Sequence, residues 1–326
     1  MKKLTLSTLF FCLFPALPAY SQNLQQLDTA QTFIGQMVQK HQFSKPELEQ
    51  LFSQIDTKEQ IIKTISSPAE ALPWPRYKAI FLTDSRIDNG VKFWRENEKL
   101  LAAVEQQYGV PAEILIAIIG VETAYGQHTG KYRVIDALST LAFLYPPRSA
   151  FFSAELEKFL LLCRSEKINP LAPTGSYAGA MGMPQFMPSS FLAYAADYDH
   201  DNRKDIWLNT GDVIASVANY FVKHGWQKGQ PVAAPLIAQG EQYKKLLNND
   251  LKQNLRLAEL KSVNVTLKKG SKFLNGNIKL LAFEHDQSTE LWAGFTNFYV
   301  ITRYNHSPLY AMAVFQLSQA ILNKHT

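Results

Sequence analysis

One segment in the middle of the chain constrains the fold more than any other, because no polar residue interrupts it. Ile114 to Val121 is apolar at every position, and the preceding residues predict a helix start with Pro111 at the first helical position. A helix that is apolar on all faces has to be buried. Glu122 follows directly, and Gly126 predicts the helix stop. The sequence therefore predicts a carboxyl group at the C-terminal end of a buried helix.

This position has a chemical consequence for Glu122. Burial disfavours the charged carboxylate, and the negative end of the helix dipole disfavours it further, so both raise its pKa. A carboxyl group that stays protonated near neutral pH can act as the general acid in glycoside cleavage. The alternative is that Glu122 lies at a solvated rim or pairs with an Arg, and the segment alone leaves both interpretations open.

Several motifs in a fixed order carry a resemblance to a known family. They are Gly-Val-Glu-Thr (120–123), Asp-Ala-Leu-Ser-Thr-Leu (136–141), Gly-Ser-Tyr-Ala-Gly-Ala-Met-Gly (175–182), Gln-Phe-Met-Pro-Ser-Ser (185–190), Ser-Val-Ala-Asn-Tyr-Phe (216–221) and Ile-Thr-Arg-Tyr-Asn-His-Ser (301–307). Together they resemble the lytic transglycosylase B family of peptidoglycan-cleaving enzymes, across nearly the whole chain after its N-terminal leader.

The resemblance implies a reaction that cuts the β-1,4 bond between N-acetylmuramic acid and N-acetylglucosamine and leaves a 1,6-anhydro ring. It implies one Glu acting as acid and then as base, and no catalytic cofactor. Ordinary glycosidases need two carboxylates, whereas no second acid falls in the motif around Glu122. Asp136 is predicted as a helix N-cap, with a catalytic role as the alternative. Glu155, three residues before Lys158, predicts a solvated helix face.

The sequence alone leaves two other functions open. A muramidase of the same core would add water and leave reducing ends. A protein that binds peptidoglycan without catalysis would have no need of a desolvated acid, so the retained Glu122 argues against it.

The resemblance also implies which side chains contact the glycan, namely Ser176, Gln185, Phe186, Arg148, Tyr220, Tyr304, Asn305 and Tyr310. Ser176 and Gln185 lie in a Gly-rich loop, where the alternative role is loop bracing. The Gln185 amide offers both a donor and an acceptor for an acetamido group. Arg148 is placed to meet the muramyl lactyl carboxylate or the peptide stem, although Pro147 stands where the family has a second arginine.

The aromatic members of this set have distinct expected roles. Tyr220 or Tyr304 orients Glu122 by a hydrogen bond. Phe186 and Tyr310 stack on sugar rings, with core packing as the alternative. Asn305, the remaining polar member, holds a carbonyl or hydroxyl group of the substrate.

An acidic loop further along has carboxylates at the first, third and fifth positions, Asp197, Asp199 and Asp201. This matches the opening of an EF-hand loop for Ca²⁺, in which Arg203 supplies its backbone carbonyl. The match is incomplete, because Leu208 stands where an EF-hand has its closing Glu. The family closes a longer loop with a later acid, and Asp212 is placed for that role. We expect a structural Ca²⁺, with an Asp-rich solvated turn as the alternative.

The predicted fold class is mainly α, in an α+β arrangement: a lysozyme-like helical core with an N-terminal helical region and a small, late β region. The predicted segments are a signal peptide at 1–21, an N-terminal helical region at 22–95, the catalytic core with the acidic loop at 96–230, and a mixed region with a small sheet at 231–300. The last segment, 301–326, is predicted as a strand end followed by a helix that returns to the core. Phe298 to Arg303 is expected to be extended.

Composition and the N-terminus bear on where the protein works. The chain has 33 Lys and Arg against 28 acids; residues 1–21 hold two of the basic residues, so the mature charge is 31 − 28, or +3. That balance does not argue for nucleic acid. The apolar leader is too short for a confident membrane span, and Cys12 lacks the small preceding residue that lipid attachment needs. We expect a soluble periplasmic protein without a firm membrane anchor, whose partners are glycan strands and, as further candidates, cell-wall synthesis or hydrolysis proteins.

Overall fold

The computed structural model describes residues 24, 27–67, 72–270 and 276–326. The chain divides into two compact units, Met1–Thr57 and Lys58–Thr326. The predicted signal peptide, with Cys12, lies outside the described residues. Among the residues that are described, every helix is too short or too polar to cross a membrane. The other predicted segment boundaries stay predictions.

The first unit contains two helices, α1 (Asp28–His41) and α2 (Lys45–Phe52). The Ser44 side chain accepts a hydrogen bond from the Glu47 backbone N–H at 3.5 Å, and Pro46 lies in the first turn. Both features are typical of a helix start.

The second unit is built around a buried central helix. Its helices are α3 (Glu59–Ile65), α4 (Trp74–Phe81), α5 (Asp84–Glu96), α6 (Glu98–Tyr108), α7 (Ala112–Thr123), α8 (Val134–Leu144), α9 (Ser149–Ser165), α10 (Pro188–Tyr194), α11 (Thr210–Lys223), α12 (Leu257–Lys261), α13 (Thr296–Tyr304) and α14 (Pro308–His325). The all-apolar segment forms α7, which packs against α5, α6, α11 and α14. Surrounding α7 on several sides buries every one of its apolar faces, as its pattern predicts.

Two antiparallel sheets complete this unit. A two-stranded sheet pairs β1 (Tyr132–Arg133) with β2 (Thr174–Gly175). A five-stranded sheet has the order β4-β6-β7-β3-β5, formed by β3 (Ala233–Ala238), β4 (Leu255–Arg256), β5 (Val265–Leu267), β6 (Asn277–Glu284) and β7 (Thr289–Gly294). Strands β6 and β7 pair antiparallel in this sheet, and the predicted mainly α fold class with a late β region is confirmed.

The predicted extended segment from Phe298 to Arg303 is wrong, because these residues lie in α13. Phe298, Ile301 and Thr302 are all buried, at the i, i+3, i+4 spacing of one helix face. The aromatic and β-branched content suggested a strand, and packing in the unit selects the helix instead. The last predicted segment therefore begins in a helix rather than at a strand end, while its final helix is confirmed as α14.

Candidate active site

Helix α7 places Glu122 in its last turn. The helix begins at Ala112, one residue after the predicted start, and the Glu105 carboxylate of α6 accepts the Ala112 backbone N–H at 3.0 Å. It ends because Ala124 and Tyr125 both adopt left-handed backbone conformations, with φ of 51° and 61°. The stop thus comes two residues before the predicted Gly126, and Glu122 keeps its predicted position at the C-terminal end.

Burial dominates the electrostatics of this carboxyl group. Desolvation raises the pKa of Glu122 from 4.5 to about 7, and a hydrogen bond from Tyr310 opposes that rise. The C-terminal end of α7 adds a negative dipole end that also disfavours the carboxylate. Glu122 is therefore largely protonated below neutral pH and can exchange a proton near it, as a general acid and base requires.

Tyr310 is the direct partner of this group. Its hydroxyl donates to Glu122 Oε1 at 2.5 Å, although 188 residues separate the two in sequence. Ser307 caps the start of α14 by accepting the Tyr310 backbone N–H at 3.3 Å, which fixes the turn from which the phenol extends. Burial raises the pKa of Tyr310, so it stays a neutral donor.

The expected roles of the tyrosines are thereby corrected. Tyr310, 3 % exposed, bonds Glu122, whereas we expected it to stack on sugar. Tyr220 and Tyr304, the expected orienting residues, donate instead to the backbone carbonyls of Arg303 and Pro184, each at 2.6 Å. These two rings lie 4.7 Å apart, and Tyr304 stacks on Tyr310 with centroids separated by 6.5 Å. Tyr304 therefore packs against Tyr310, and Tyr220 packs against Tyr304.

Phe186 also belongs to this aromatic cluster. Its ring is 2 % exposed and packs against Tyr220 and Tyr304 at centroid distances of 5.8 and 5.9 Å. A ring enclosed in this way has no free face for a sugar, so the expected stacking is wrong and core packing, the alternative, is confirmed.

The Gly-rich loop is held close to α7 at several points. The Thr123 hydroxyl donates to the Met183 carbonyl at 3.0 Å, directly beside Glu122. Gly130 has a φ of +99°, and a Cβ there would lie 2.0 Å from the Gly175 backbone, so only glycine permits the approach of β1 to β2. Thr123 directly follows Glu122, so its place beside the carboxyl group could be predicted from the sequence. Its hydrogen bond to a carbonyl 60 residues away could not.

Ser176 and Gln185 carry bracing contacts within this loop. The Ser176 hydroxyl oxygen accepts the backbone N–H groups of Ala178 and Ala180, at 3.2 and 3.1 Å. Gln185 Nε2 donates to the carbonyls of Thr129 and Gly182, at 3.1 and 2.9 Å. Bracing, the alternative role, is therefore present, while the Ser176 hydroxyl hydrogen and the Gln185 carbonyl oxygen are not consumed by these bonds.

The two remaining substrate candidates lie at partly or fully exposed positions. Arg148 ends a short 3-10 helix, Pro146–Arg148, and its guanidinium lies over the rings of Phe151 and Phe152, 4.5 and 5.1 Å from their centroids. Asn305 follows α13 with extended backbone, five residues before Tyr310, and its side chain is partly exposed.

Both other carboxylates considered for catalysis have structural partners. Asp136 is buried in the first turn of α8, and both of its oxygens accept from the Arg133 guanidinium, at 2.7 and 2.9 Å. It is not the N-cap, which is Arg133. Glu155, 5 % exposed, accepts the backbone N–H and the hydroxyl of Ser189 at the start of α10. The predicted solvated face at Glu155 is wrong, because the carboxylate satisfies a helix terminus inside the fold.

The acidic loop brings three of its carboxylates together. Oxygens of Asp197, Asp199 and Asp212 lie within 4.8 Å of one another. Asp212 is fully buried, and its two oxygens accept the backbone N–H groups of Tyr198 and Asp205 at 2.7 and 2.8 Å. Burial raises the pKa of Asp212, and the two neighbouring carboxylates raise it further. Carboxylate oxygens converging in this way are the ligands that Ca²⁺ prefers.

Asp201 and Arg203 take a different place in the loop. Asp201 lies outside that group of three, and its Oδ1 accepts the Arg203 backbone N–H at 2.8 Å. The Asp201 N–H in turn donates to Asp197 and Asp199. These bonds wrap the backbone around the carboxylates, as in an EF-hand opening.

Three comparisons with known proteins bear on this geometry. The model of the family described as Transglycosylase SLT domain matches residues 25–319. The chain is 42% identical over 305 residues to the membrane-bound lytic murein transglycosylase B of Escherichia coli strain K12, covering 90% of this chain and 82% of that one.

Two solved structures have the same architecture. The Escherichia coli lytic transglycosylase Slt35 in complex with calcium is 41% identical, with a TM-score of 0.85, covering 92% of this chain and 94% of that chain. Pseudomonas aeruginosa SltB3 in complex with NAG-NAM-pentapeptide is 28% identical, with a TM-score of 0.82, covering 94% and 81% of the two chains. With a family model that matches nearly its full length, the chain belongs to the SLT-domain family of lytic murein transglycosylases.

Proposed function

We propose that the protein cleaves the β-1,4 bond between N-acetylmuramic acid and N-acetylglucosamine in peptidoglycan, with formation of a 1,6-anhydromuramoyl end. One feature carries this reaction type, namely that Glu122 lies partly buried at the end of α7, where desolvation raises its pKa to about 7. The other two candidate carboxylates, Asp136 and Glu155, are bound to Arg133 and Ser189. A one-carboxylate scheme fits this site better than a two-carboxylate glycosidase mechanism.

The proposed steps conserve protons on Glu122. Its carboxylic acid protonates the glycosidic oxygen as the bond from the muramyl C1 to that oxygen breaks, and the carbonyl oxygen of the substrate acetamido group bonds to C1. The resulting Glu122 carboxylate then removes the proton of the muramyl O6 hydroxyl, which attacks C1 and displaces the acetamido oxygen. Glu122 ends protonated again, and no water is consumed.

Digestion of purified peptidoglycan followed by mass spectrometry tests this function. We expect muropeptides with 1,6-anhydro ends, each lighter by one water than the product of hydrolysis. Reducing ends would assign the protein as a muramidase of the same core. Binding to peptidoglycan with no products of either kind would assign a non-catalytic role.

Replacing Tyr310 by Phe should lower the rate about tenfold and shift the pH profile, because the hydrogen bond that Tyr310 donates favours the charged form of Glu122. Its loss raises the pKa of Glu122, so the alkaline limb of the kcat/KM profile should move to higher pH. Tyr304→Phe removes a hydroxyl that bonds Pro184 instead, and it should leave that limb in place. If the alkaline limb of the Tyr310→Phe profile lies at the wild-type pH, Tyr310 does not position Glu122.

Four partly or fully exposed polar residues are proposed to contact the glycan. They are Ser176, Gln185, Asn305 and Arg148. The free hydroxyl hydrogen of Ser176 and the carbonyl oxygen of Gln185 suit an acetamido group. Tyr304 contributes by packing on Tyr310, and Tyr220 contributes by packing on Tyr304. Alanine variants whose KM and kcat are measured separately distinguish contact with the glycan from this supporting role.

We further propose that the acidic loop binds a structural Ca²⁺. Asp197, Asp199 and Asp212 supply converging carboxylates, with Asp201 and the Arg203 carbonyl completing the set. The donor set fits the ion because oxygens of three carboxylates lie within 4.8 Å of one another, and carboxylate oxygens are ligands that Ca²⁺ prefers. The ion would neutralise the repulsion among them.

Calcium should raise the melting temperature by roughly 3–5 °C at saturating concentration, because an ion that binds only the folded state stabilises by mass action. Asp199→Asn should remove most of this rise. Asp286→Asn changes an equally exposed acid outside the loop and should keep it. If the wild-type melting temperature is the same in calcium and in chelator, the loop binds no calcium and is an Asp-rich solvated turn.

The proposed location is the periplasm, with a soluble mature protein that begins near Gln22. Its support is the leader pattern of residues 1–21 and the mature charge of +3. Cell fractionation and the intact mass of the mature protein test this. Recovery in the membrane with an acyl mass on Cys12 would overturn it.

A further inference from the structure

One residue of α5 contacts the chain on both sides of Glu122. The Arg86 guanidinium donates a hydrogen bond to the Gly120 backbone carbonyl, 34 residues away and just before Glu122. The Arg86 backbone carbonyl in turn accepts the Tyr125 hydroxyl at 2.8 Å, 39 residues away and just after Glu122. The segment from 120 to 125, which includes the candidate catalytic residue, is therefore tied to α5 at both of its ends.

The turn that follows Glu122 has a strained backbone. Ala124 and Tyr125 have φ of 51° and 61°, although neither is glycine. Their backbone N–H groups donate to the carbonyls of Gly120 and Ile119, at 3.1 and 3.3 Å. Non-Gly residues adopt such a conformation at a cost in free energy, and it persists where the surrounding contacts hold it. The reversal of the chain brings the Tyr125 side chain back against α7.

The Tyr125 phenol lies against two glycines within helices. A Cβ at Gly120 of α7 would lie 2.6 Å from the phenol oxygen, and a Cβ at Gly90 of α5 would lie at the same distance. A larger residue at either position would have to move the phenol away from Arg86. The ring also packs against Phe93 of α5, with a centroid distance of 5.7 Å. The absence of side chains at both glycines thus makes the hydrogen bond between Tyr125 and Arg86 possible.

The two contacts of Arg86 do more than cap a helix. A guanidinium at the C-terminal end of a helix commonly hydrogen-bonds its last carbonyls, where the helix dipole is negative. The contact with Gly120 would be sufficient for that purpose. The second contact ties the residues after the helix to the same side chain's backbone. Burial raises the pKa of Tyr125, so its hydroxyl stays a neutral donor in this contact.

Glu122 is held from another direction by α14. The Tyr310 hydroxyl donates to the Glu122 carboxyl group, so α14 fixes the end of the side chain. The contacts with Arg86 fix the backbone from which that side chain extends. Because α5 and α14 also pack against each other, the two sets of contacts belong to one framework.

We propose that Arg86 and Tyr125 are positioning residues, which fix the backbone on both sides of Glu122 so that its carboxyl group meets the glycosidic oxygen in the reactive orientation. The inference rests on the proposed function and adds two residues to it. The residues proposed to contact the glycan lie on other segments. Loss of either positioning residue therefore slows the reaction without weakening glycan binding.

Steady-state kinetics of the full chain on a soluble N-acetylglucosamine–N-acetylmuramic acid oligomer test this proposal. Tyr125→Phe removes only the hydroxyl and keeps the ring, and Arg86→Met removes the guanidinium and keeps an unbranched apolar side chain. Each should lower kcat about tenfold and leave KM unchanged, because a small displacement of a catalytic group costs rate. Arg86→Lys keeps a charged donor for the Gly120 carbonyl and should recover part of the lost kcat.

The matched control is Trp226→Phe, near the other end of α7. Trp226 Nε1 donates to the Gly109 backbone carbonyl at 3.1 Å, so this variant also removes one hydrogen bond to a backbone carbonyl next to the helix. We expect it to lower the melting temperature about as much as the other variants do, while kcat and KM keep their wild-type values.

Wild-type kcat in both Tyr125→Phe and Arg86→Met, or an equal loss of kcat in Trp226→Phe, would overturn the proposal. If Arg86→Met does not fold, Tyr125→Phe decides alone, because it keeps the packing of the ring. Failure of the wild-type chain to release cleavage products would instead reject the proposed function. The two failures are therefore distinguishable.

Discussion

Glu122→Gln should lose nearly all activity while it keeps the fold and the ability to bind glycan. Gln has the shape of a protonated Glu and can still accept the Tyr310 hydroxyl bond, but it cannot deliver a proton to the glycosidic oxygen. A general acid contributes roughly a hundredfold or more, so the rate of release of anhydromuropeptides should fall at least that far.

Glu113→Gln is the matched control for this experiment. Glu113 lies on the same helix nine residues earlier, about 13 Å along the axis, and burial raises its pKa as well. It has no place in the candidate site, so its replacement should keep the wild-type rate. If Glu122→Gln retains more than about a tenth of wild-type activity, a second acid must supply the proton and the one-carboxylate scheme fails.

Local pattern was enough to predict α7 and the carboxyl at its end. An uninterrupted apolar run admits only a buried element, and Pro111 before it and Gly126 after it favour a helix. The segment at 298–303 shows where this fails. Its aromatic and β-branched residues suit a strand, and only the helical spacing of its buried positions shows why the fold selects α13.

The partners of the site residues could not be predicted, because they depend on contacts between distant segments. The resemblance named Tyr220, Tyr304 and Tyr310 together, but which phenol bonds Glu122 depends on how α14 packs against α7. Glu155 is a similar case. Its spacing from Lys158 predicts a solvated helix face, whereas in the structure its carboxylate accepts hydrogen bonds at the start of α10, 34 residues away.

The features that suit Glu122 for catalysis also carry a cost in stability. A carboxyl group placed in a desolvated position at the negative end of α7 is favourable only while protonated. The fold keeps it there through the surrounding apolar helices and the Tyr310 bond. A substitution that removes the ionisable carboxyl group should therefore stabilise the protein and abolish its activity at the same time.

The same Glu122→Gln variant should become more stable than wild type as the pH rises. Between pH 4.5 and about 7 the folded protein holds a proton on Glu122 that the unfolded chain has released. Unfolding then releases a proton, so the free energy of unfolding of the wild type falls as pH increases. The contribution of Glu122 is fully present below pH 4.5 and is lost as the pH rises through about 7. Gln cannot ionise, so the stability of the variant relative to wild type should grow by about 2–3 kcal/mol from pH 4 to pH 8.

Thermal melting of both proteins at pH 4 and pH 8 measures this difference, which corresponds to about 3–5 °C for a chain of this length. Comparing the two pH values separates ionisation from any fixed effect of the Gln amide, since that effect is the same at both. Glu59→Gln alters a side chain that is 83% exposed and should show no such gain. A relative stability that is the same at pH 4 and pH 8 would mean that Glu122 ionises as easily in the folded protein as in the unfolded chain. The source of its acid function would then have to lie in the bound substrate.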